Sequence, residues 1–563
     1  MAKTKILQTS FASGEISPSL RGRVDRDVYY NGAERIRNAY VGPLGGVIKR
    51  PGTKYIGNTT GDKVARLIPF QFNIVQTYLM VFTDKELKIY RDGDLKATVT
   101  GGVIETLTES VIQEMKFTQS LDTLILVHPD VAPIQILRVS DTSWTPSTIS
   151  LTIPNFDFGS GAEAVWSSTR GWPVSATFFQ QRLWFGGSKS RPTAVWGSKV
   201  AGFFDFTTGE NPADGIAVTI EDDESNAIVN IVGGRTLQIF TGAGEYFVPL
   251  NIDRTVTPEN FSLELATRHG SSFALPISSD GATMFVDLSG RVVREYLYLD
   301  IEQSYVTDDI SFLSEHLIRS PRYTALQKSS DRLPGEYAYF VNDDGTIAVL
   351  NRRRAQNFIA WSLWETSGDY EDIAVTGNEI YVVVKRGDQR FIERFDYDYY
   401  TDAGTIYSDT AKTTWTGIAY LEGQEVFVRS QAGYPLLNNE VDDGEITIER
   451  EEEGIEVGLP WSVTIKSLPP SDQEGRLVGE KRRIVSANFQ LKDSNSFTAR
   501  SGRQEIRVAL NRFGGIVLGE PPPLFSGWKR VPMRGYSREP SVEVSQSRPV
   551  NFELLSMGIE VTT

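Results

Sequence analysis

The chain reads as an all-β, multidomain protein: a β-propeller-like body, a second domain of barrel or sandwich type, and a short N-terminal docking segment. Three observations predict this. Apolar runs of strand length recur from residue 78 onward, beginning near Tyr78, Thr123, Leu183, Thr236, Thr283, Tyr337 and Ile380, at intervals of 43 to 60 residues that average about 50. Each is followed by a Gly or Asx turn and an alternating run that often ends in charge, the pattern of a β-hairpin. After residue 410 the landmarks change. A strand-only period of about 40 to 50 residues suits propeller blades, because a four-stranded blade cannot bury both faces without neighbours. Seven runs give seven blades; a stack of β-sandwich domains would produce similar hairpins and stays open as the alternative.

Residues 1–60 form the first unit. They hold ten Lys and Arg against four Asp and Glu, whereas the whole chain carries a net −15, so this end is built to meet something acidic. Val28, Ile36 and Tyr40 fall in a short, glycine-interrupted helical pattern, too weak to be stable without a partner surface. Arg21, Arg23, Arg35, Arg37 and Arg50 are the candidate docking residues, since guanidinium forks bind carboxylates bidentately. Solvated arginines without a partner are the competing reading.

Residues 61–410 form the propeller. Its clearest hairpins are Met284 to Arg294 and Ala338 to Val349, where Ser289-Gly290 and Asp344-Gly345 supply the positive φ of a tight turn. A third runs from Ile380 to Phe395. Trp172, Trp184, Trp196, Trp361 and Trp364 lie in or beside hairpins and read as packing between blades, with a sugar-binding platform as the alternative.

Residues 411–563 form the second all-β domain, with strands expected at 426–428, 446–448, 463–465 and 485–491. Asp442, Asp443, Glu445, Glu451, Glu452 and Glu453 concentrate carboxylates there, and their repulsion keeps such a surface hydrated, facing either a channel or an outer rim. The tract 519–540, with Pro521, Pro522, Pro523, Pro532 and Pro540, cannot be a central strand and reads as an arm or loop that wraps a neighbouring subunit.

Composition narrows the chemistry. At 563 residues the chain is too long for one core, and no apolar run approaches the ~20 residues of a membrane span. No apolar core of signal-peptide length follows Met1-Ala2-Lys3, so the protein is expected to be made and assembled in a cytoplasm. Cysteine is absent, and His128, His269 and His316 are scattered without ligand-spaced partners; no metal or cofactor is expected. The net charge argues against a general nucleic-acid binder, which needs basic surface to release phosphate counterions. An acidic lumen would let DNA slide past; acidic surface that keeps soluble proteins apart is the plainer alternative.

Carboxylate groups such as Asp222-Asp223-Glu224, Asp308-Asp309 and Glu393, Asp396, Asp398 raise the question of a glycosidase, which needs two acids about 5 to 9 Å apart beside a cleft. Seventy-two acidic residues offer no way to choose a pair, and these clusters sit near turns, where Asp is favoured for backbone reasons. Asn342-Asp343-Asp344-Gly345 lacks the bidentate Glu of a calcium loop. The chain is therefore expected not to be an enzyme.

Glycine and aromatic landmarks add a resemblance. Phe11-Ala12-Ser13-Gly14-Glu15-Ile16-Ser17-Pro18, Arg21-Gly22-Arg23-Val24-Asp25, Gly42-Pro43-Leu44-Gly45-Gly46-Val47 and Arg50-Pro51-Gly52 make up the N-terminal set. Further on come Gln181 to Gly187 with Trp196-Gly197-Ser198, then Val457-Gly458-Leu459-Pro460 followed by Lys481-Arg482-Arg483-Ile484. Together these resemble the tail nozzle proteins of short-tailed bacteriophages, also called tail tubular protein B, along the whole chain. The resemblance implies a structural virion protein of the phage tail: a homohexameric ring that extends the DNA-ejection channel below the portal and tail adaptor ring. Tail fibres or spikes would dock on it, and genomic DNA would pass through without sequence-specific binding. A tail-associated glycan hydrolase and a host-surface glycan-binding propeller are the competing functions, and fold alone does not separate them.

Overall fold

The structure, a computed structural model, describes every residue except 1–2, 160, 224–225, 250–254, 331, 437–438, 472–478, 511–522 and 563. Four-stranded antiparallel sheets follow one another along the chain at 66–100, 116–148, 175–219, 228–267 and 277–309. A sixth, 323–364, begins a longer sheet; the seventh, 369–396, supplies three strands and takes its fourth, Gly52–Asn58, from the N-terminal part of the chain. The body is a seven-bladed β-propeller. The seven apolar runs of the sequence fall on the second strand of each blade, such as Arg182–Gly186, Ala282–Val286 and Tyr337–Val341. The three named are buried along their whole length between neighbouring blades and the others at all but their ends, so they read as unbroken apolar runs rather than alternating ones.

The ring is locked where its ends meet. Arg66 of blade 1 donates to both carboxylate oxygens of Asp372 in blade 7 at 2.7 and 2.8 Å, and its guanidinium lies 3.9 Å from the Tyr323 ring of blade 6. Leu67, Leu79 and Val81 pack against Ala374, Tyr381 and Val383 across the same seam.

The N-terminal residues are not a separate docking segment, as the sequence suggested. Lys3–Gln8 pairs with Glu553–Thr562, and Ala39–Val41 and Val47–Lys49 join the same seven-stranded sheet. Gly32–Arg37 lies between Phe358–Trp364 of blade 6 and Val463–Ser467. Both chain ends thus build one two-sheet sandwich, cored by Phe11, Ile36, Val47, Phe489, Phe552 and Val561 among others. Of the expected helix only Asp27–Tyr30 forms; beyond it, pairing with two open strand edges outweighs a weak helical pattern. The boundary expected at residue 60 also gives way, because Gly52–Asn58 belongs to blade 7.

Two further differences concern the C-terminal third. Residues 402–459 form a small curled sheet around Trp415, Leu421, Val428, Ile446 and Ile455, joined to blade 7 through a parallel bridge between Gly404 and Lys54, so the expected second domain is two units. In the proline-rich tract, Phe525–Pro532 is a strand on the edge of the seven-stranded sheet, paired with Arg482–Ser494. Pro532 ends that strand at the edge, where its missing N–H costs no ladder bond. Residues 519–522 lie outside the described residues.

Three parts converge on Arg50. Its guanidinium binds Asp402 with two bonds of 2.8 and 2.7 Å, both side chains fully buried, and stacks 3.9 Å from the Trp461 ring. Asn38 Oδ1 accepts from Arg50 Nε at 3.1 Å and from the Glu365 N–H at 2.8 Å, while Thr366 Oγ1 donates to Asp402 at 2.8 Å. Replacing one partner leaves a buried charge uncompensated, so Asp402→Ala is expected to lower stability by about 3 to 5 kcal/mol in urea unfolding. A loss below about 1 kcal/mol would show the joint to be dispensable.

Candidate functional site

The five candidate arginines divide by burial. Arg50 is consumed by Asp402 and is unavailable to any partner, which corrects the sequence expectation. Arg37 is turned inward onto Glu15. Glu15 is buried and also accepts from the Ile36 N–H at 2.6 Å and faces His316 Nε2 at 2.9 Å, tying the N-terminal strand to the connection between blades 5 and 6. Burial pushes its carboxyl up, but His316, Arg37 and the Ile36 N–H outweigh that and hold it below the usual carboxylate range. Arg21 is exposed and paired with Glu34 at 2.7 Å; Arg23 is exposed and bound bidentately to Asp25 at 2.8 Å. Arg35 is exposed and makes no ion pair among the described residues. The accessible set is therefore Arg21, Arg23 and Arg35.

Two motif glycines owe their place to close packing beside this joint. Gly14 has φ +63°, and a Cβ there would lie 2.4 Å from the Trp361 backbone nitrogen; one on Gly52 would lie 2.3 Å from the Thr401 carbonyl oxygen. Neither site admits a side chain without moving backbone.

The sandwich is basic as a whole. Residues 1–51 and 460–563 carry 24 Lys and Arg against 14 Asp and Glu, whereas 52–459 carry 33 against 58. The signal was present in the sequence, but it appears only when the two chain ends are counted together. Trp528, the one exposed tryptophan of the ten, also escaped notice because it sits in the proline-rich tract. Trp184, Trp196, Trp361 and Trp364 are buried: Trp184 stacks on Phe261, and Trp196 meets Trp166 edge-on.

The acidic run is not one patch. Asp442 and Asp443 lie at a turn whose N–H groups at Asp443 and Gly444 are accepted by Glu422, and Glu445 opens the strand Glu445–Leu459. Glu451 and Glu453 stand exposed six to eight residues further on, roughly 20 to 25 Å along an extended strand. Glu452 is buried, accepting from Tyr434 Oη at 2.6 Å. The other carboxylates have local partners: Asp222 binds Arg268 at 3.2 Å and Tyr246 Oη at 3.1 Å, Asp309 accepts from the Ser311 N–H at 2.9 Å, and Glu393 binds Arg386 at 2.9 Å. Glu224 lies outside the described residues. Among the described residues no group of three metal-ligating side chains assembles.

The first strands of all seven blades enclose a central space of about 360 Å³. Lys116 of blade 2 ties blade 2 to blade 4, donating to Asn230 Oδ1 at 2.7 Å and to the Val229 carbonyl; burial pushes its ammonium down to about 7. A space that size holds a small molecule, whereas the major groove of duplex DNA alone is about 12 Å wide. A second, larger cleft of about 1190 Å³ separates the curled sheet at Tyr434 and Arg450 from the sandwich at Thr498 and Arg507.

No family model matches the chain, and no curated protein matches it. Solved structures similar to it include the RRP9 WD40 repeats, at 8% identity over 62% of this chain and 100% of that one, with a TM-score of 0.40. The Neurospora crassa Pan2 WD40 domain is similar at 8% identity over 62% of this chain and 95% of that one, TM-score 0.34. U3-55K is similar at 9% identity over 61% and 99%, TM-score 0.39. Strand order and register define the seven blades.

Glu15 gives the joint a defined acid response. A carboxyl held below its ordinary value of 4.5 contributes stability above that pH and loses it as pH falls through the lowered value. The stability difference between the native chain and Glu15→Gln is expected to hold down to about pH 5 and shrink below it. Thermal melts from pH 7 to 3 would read this; a difference unchanged at pH 3 would contradict it.

Proposed function

We propose that this chain is a structural virion protein, the nozzle of a short phage tail. In this proposal it forms a homohexameric ring that extends the DNA-ejection channel below the portal and adaptor and offers docking surface to tail fibres or spikes. The observation that carries it is the gathering of most of the shared motifs, the set at Gln181 to Gly187 and Trp196 to Ser198 lying apart in blade 3. Phe11 to Pro18, Gly42 to Val47, Arg50 to Gly52, Val457 to Pro460 and Lys481 to Ile484 lie far apart in sequence and meet in the sandwich and its joint with the propeller.

Charge supports a division of labour. The basic sandwich, with Arg21, Arg23 and Arg35 accessible, suits an acidic adaptor ring, and the acidic body suits a conduit that does not retain DNA. Because the space within a propeller is only about 360 Å³, the conduit in this proposal is the space enclosed by the copies. Glu445, Glu451 and Glu453 are then candidates for its wall or rim. The mechanism is mechanical and electrostatic, with no catalytic step; assembly takes place in the host cytoplasm and the product resides in the tail.

Electron microscopy with mass determination on the protein mixed with its virion's adaptor complex tests the proposal. A six-fold ring with an axial hole wide enough for duplex DNA is the expected result, and a monomer, or a trimer without an axial channel, would overturn it. Adaptor binding is also expected to weaken as ionic strength rises past about 0.15 M, where the screening length has shrunk to about 8 Å. Binding indifferent to salt would remove the electrostatic part of the proposal.

A further inference from the structure

Two exposed surfaces of the chain complement one another. The first is the outer face of the seven-stranded sheet. Leu7, Gly558, Asn488 and Arg530 face each other in one row across four strands, and Gln490 and Trp528 pair in a neighbouring row. Small and uncharged residues make the middle flat, Leu7 and the 53% exposed Trp528 stand at its sides, and Lys5 makes no ion pair among the described residues. The second surface is a set of turn tips on blades 1 and 2. Ile74 and Val75, 90% and 78% exposed, share a turn, and Leu121, 78% exposed, tips the adjoining blade with Val139. Gln119 ties the two blades by donating to the Gln71 carbonyl at 2.7 Å and the Leu121 carbonyl at 3.0 Å, and Arg138 lies over the Phe72 ring at 4.3 Å. Asp92 and Asp94 lie at the turn between the last two strands of blade 1, where Arg91 and Lys96 pair with them at 3.5 and 3.3 Å, and Asp122 follows Leu121.

We propose that the outer sheet face of one copy docks on the turn tips of blades 1 and 2 of the next, a head-to-tail contact that a closed ring repeats. The inference rests on the ring proposed above and names the surfaces that make it. Each surface exposes apolar side chains to water, Leu7 and Trp528 at the sides of the sheet face and Ile74, Val75 and Leu121 at the turn tips. Charge selects the orientation: a basic sandwich set against the acidic body of its neighbour attracts, while like ends set together repel. A contact between two different patches is heterologous, which is the type that generates rings. Nucleic acid is the less favoured occupant of the sheet face, because Glu560 already bridges Lys3 and Arg530, and Glu553 holds Lys492.

Sedimentation velocity on the full chain at low salt tests the contact with Trp528→Asp and with the double variant Ile74→Asp, Val75→Asp. All three positions are exposed, and circular dichroism and thermal melts would verify that each variant folds. Each variant alone is expected to self-associate about tenfold or more weakly than the native chain, as for loss of an interface anchor. Mixed in equal amounts, the two variants retain one intact pair of surfaces and are expected to form a dimer and nothing larger. A variant that associates like the native chain would overturn the inference, as would a mixture that stays monomeric or a native chain that is monomeric at low salt. Loss of duplex DNA retention in Trp528→Asp with self-association intact would overturn it in favour of nucleic acid. A six-fold ring in the microscope with failed complementation would reject these surfaces and leave the nozzle proposal standing.

Discussion

The buried pair between Arg50 and Asp402 is the constraint on which the arrangement of parts depends. Arg50 comes from the sandwich, Asp402 opens the curled sheet, and the bonds around them reach Glu365 and Thr366 at the end of blade 6. A guanidinium taken out of water demands every one of those acceptors in place. A chain that misplaces any one of three units leaves that charge unpaired, so the pair acts as a check on register as much as a source of attraction. Continuity of the sheets makes the same point through the backbone: blade 6 runs on into the sandwich and blade 7 into the curled sheet. The propeller and its appendages are therefore joined by shared strands, and among the described residues no linker stands between them.

What was legible in the sequence was whatever is decided locally. The second strand of each blade is buried on both faces, so Tyr337–Val341 or Leu237–Thr241 announces itself as an apolar run whatever surrounds it. Turns such as Asp344-Gly345 were legible for the same reason, since Gly345 takes φ +77°. Pairings fixed by distant partners were not. Gly32–Arg37 looks like a fragment of helix until strands from blade 6 and from residue 463 onward are set on its two sides. Arg50 looks like a docking residue because nothing near it in sequence reveals a carboxylate 352 residues away. Glu452 looks like part of a solvated run because its burial depends on Tyr434 folding back over it.

Electrostatically the molecule is two bodies. The charge of the whole conceals a basic sandwich on an acidic propeller, and the division follows the fold rather than the chain order, since both ends contribute to the basic part. Such a dipolar particle orients before it touches a partner, because complementary ends steer each other over about a Debye length. The interior of the propeller contributes to binding in a different way: with Lys116 pinned between blades, it is a brace that keeps the blade rims in fixed register.

The fourth strand of blade 7 carries a consequence for synthesis. Thr53 bonds Glu393 across 340 residues of chain, so Gly52–Asn58 leaves the ribosome long before the strand it pairs with. At roughly 5 to 20 residues per second, it waits on the order of 20 to 70 s with its edges open. The closing loop itself costs little in equilibrium terms, since each doubling of length adds only about 0.6 kcal/mol. The exposure is a matter of time: an unpaired edge is a template for other chains. Lys54 in the strand and glycines at positions 52 and 57 make it a poor one. Ring closure thus waits for residue 396 and sandwich assembly for the last strand of the chain, and a nascent chain cut short of residue 389 holds a strand that has nowhere native to go.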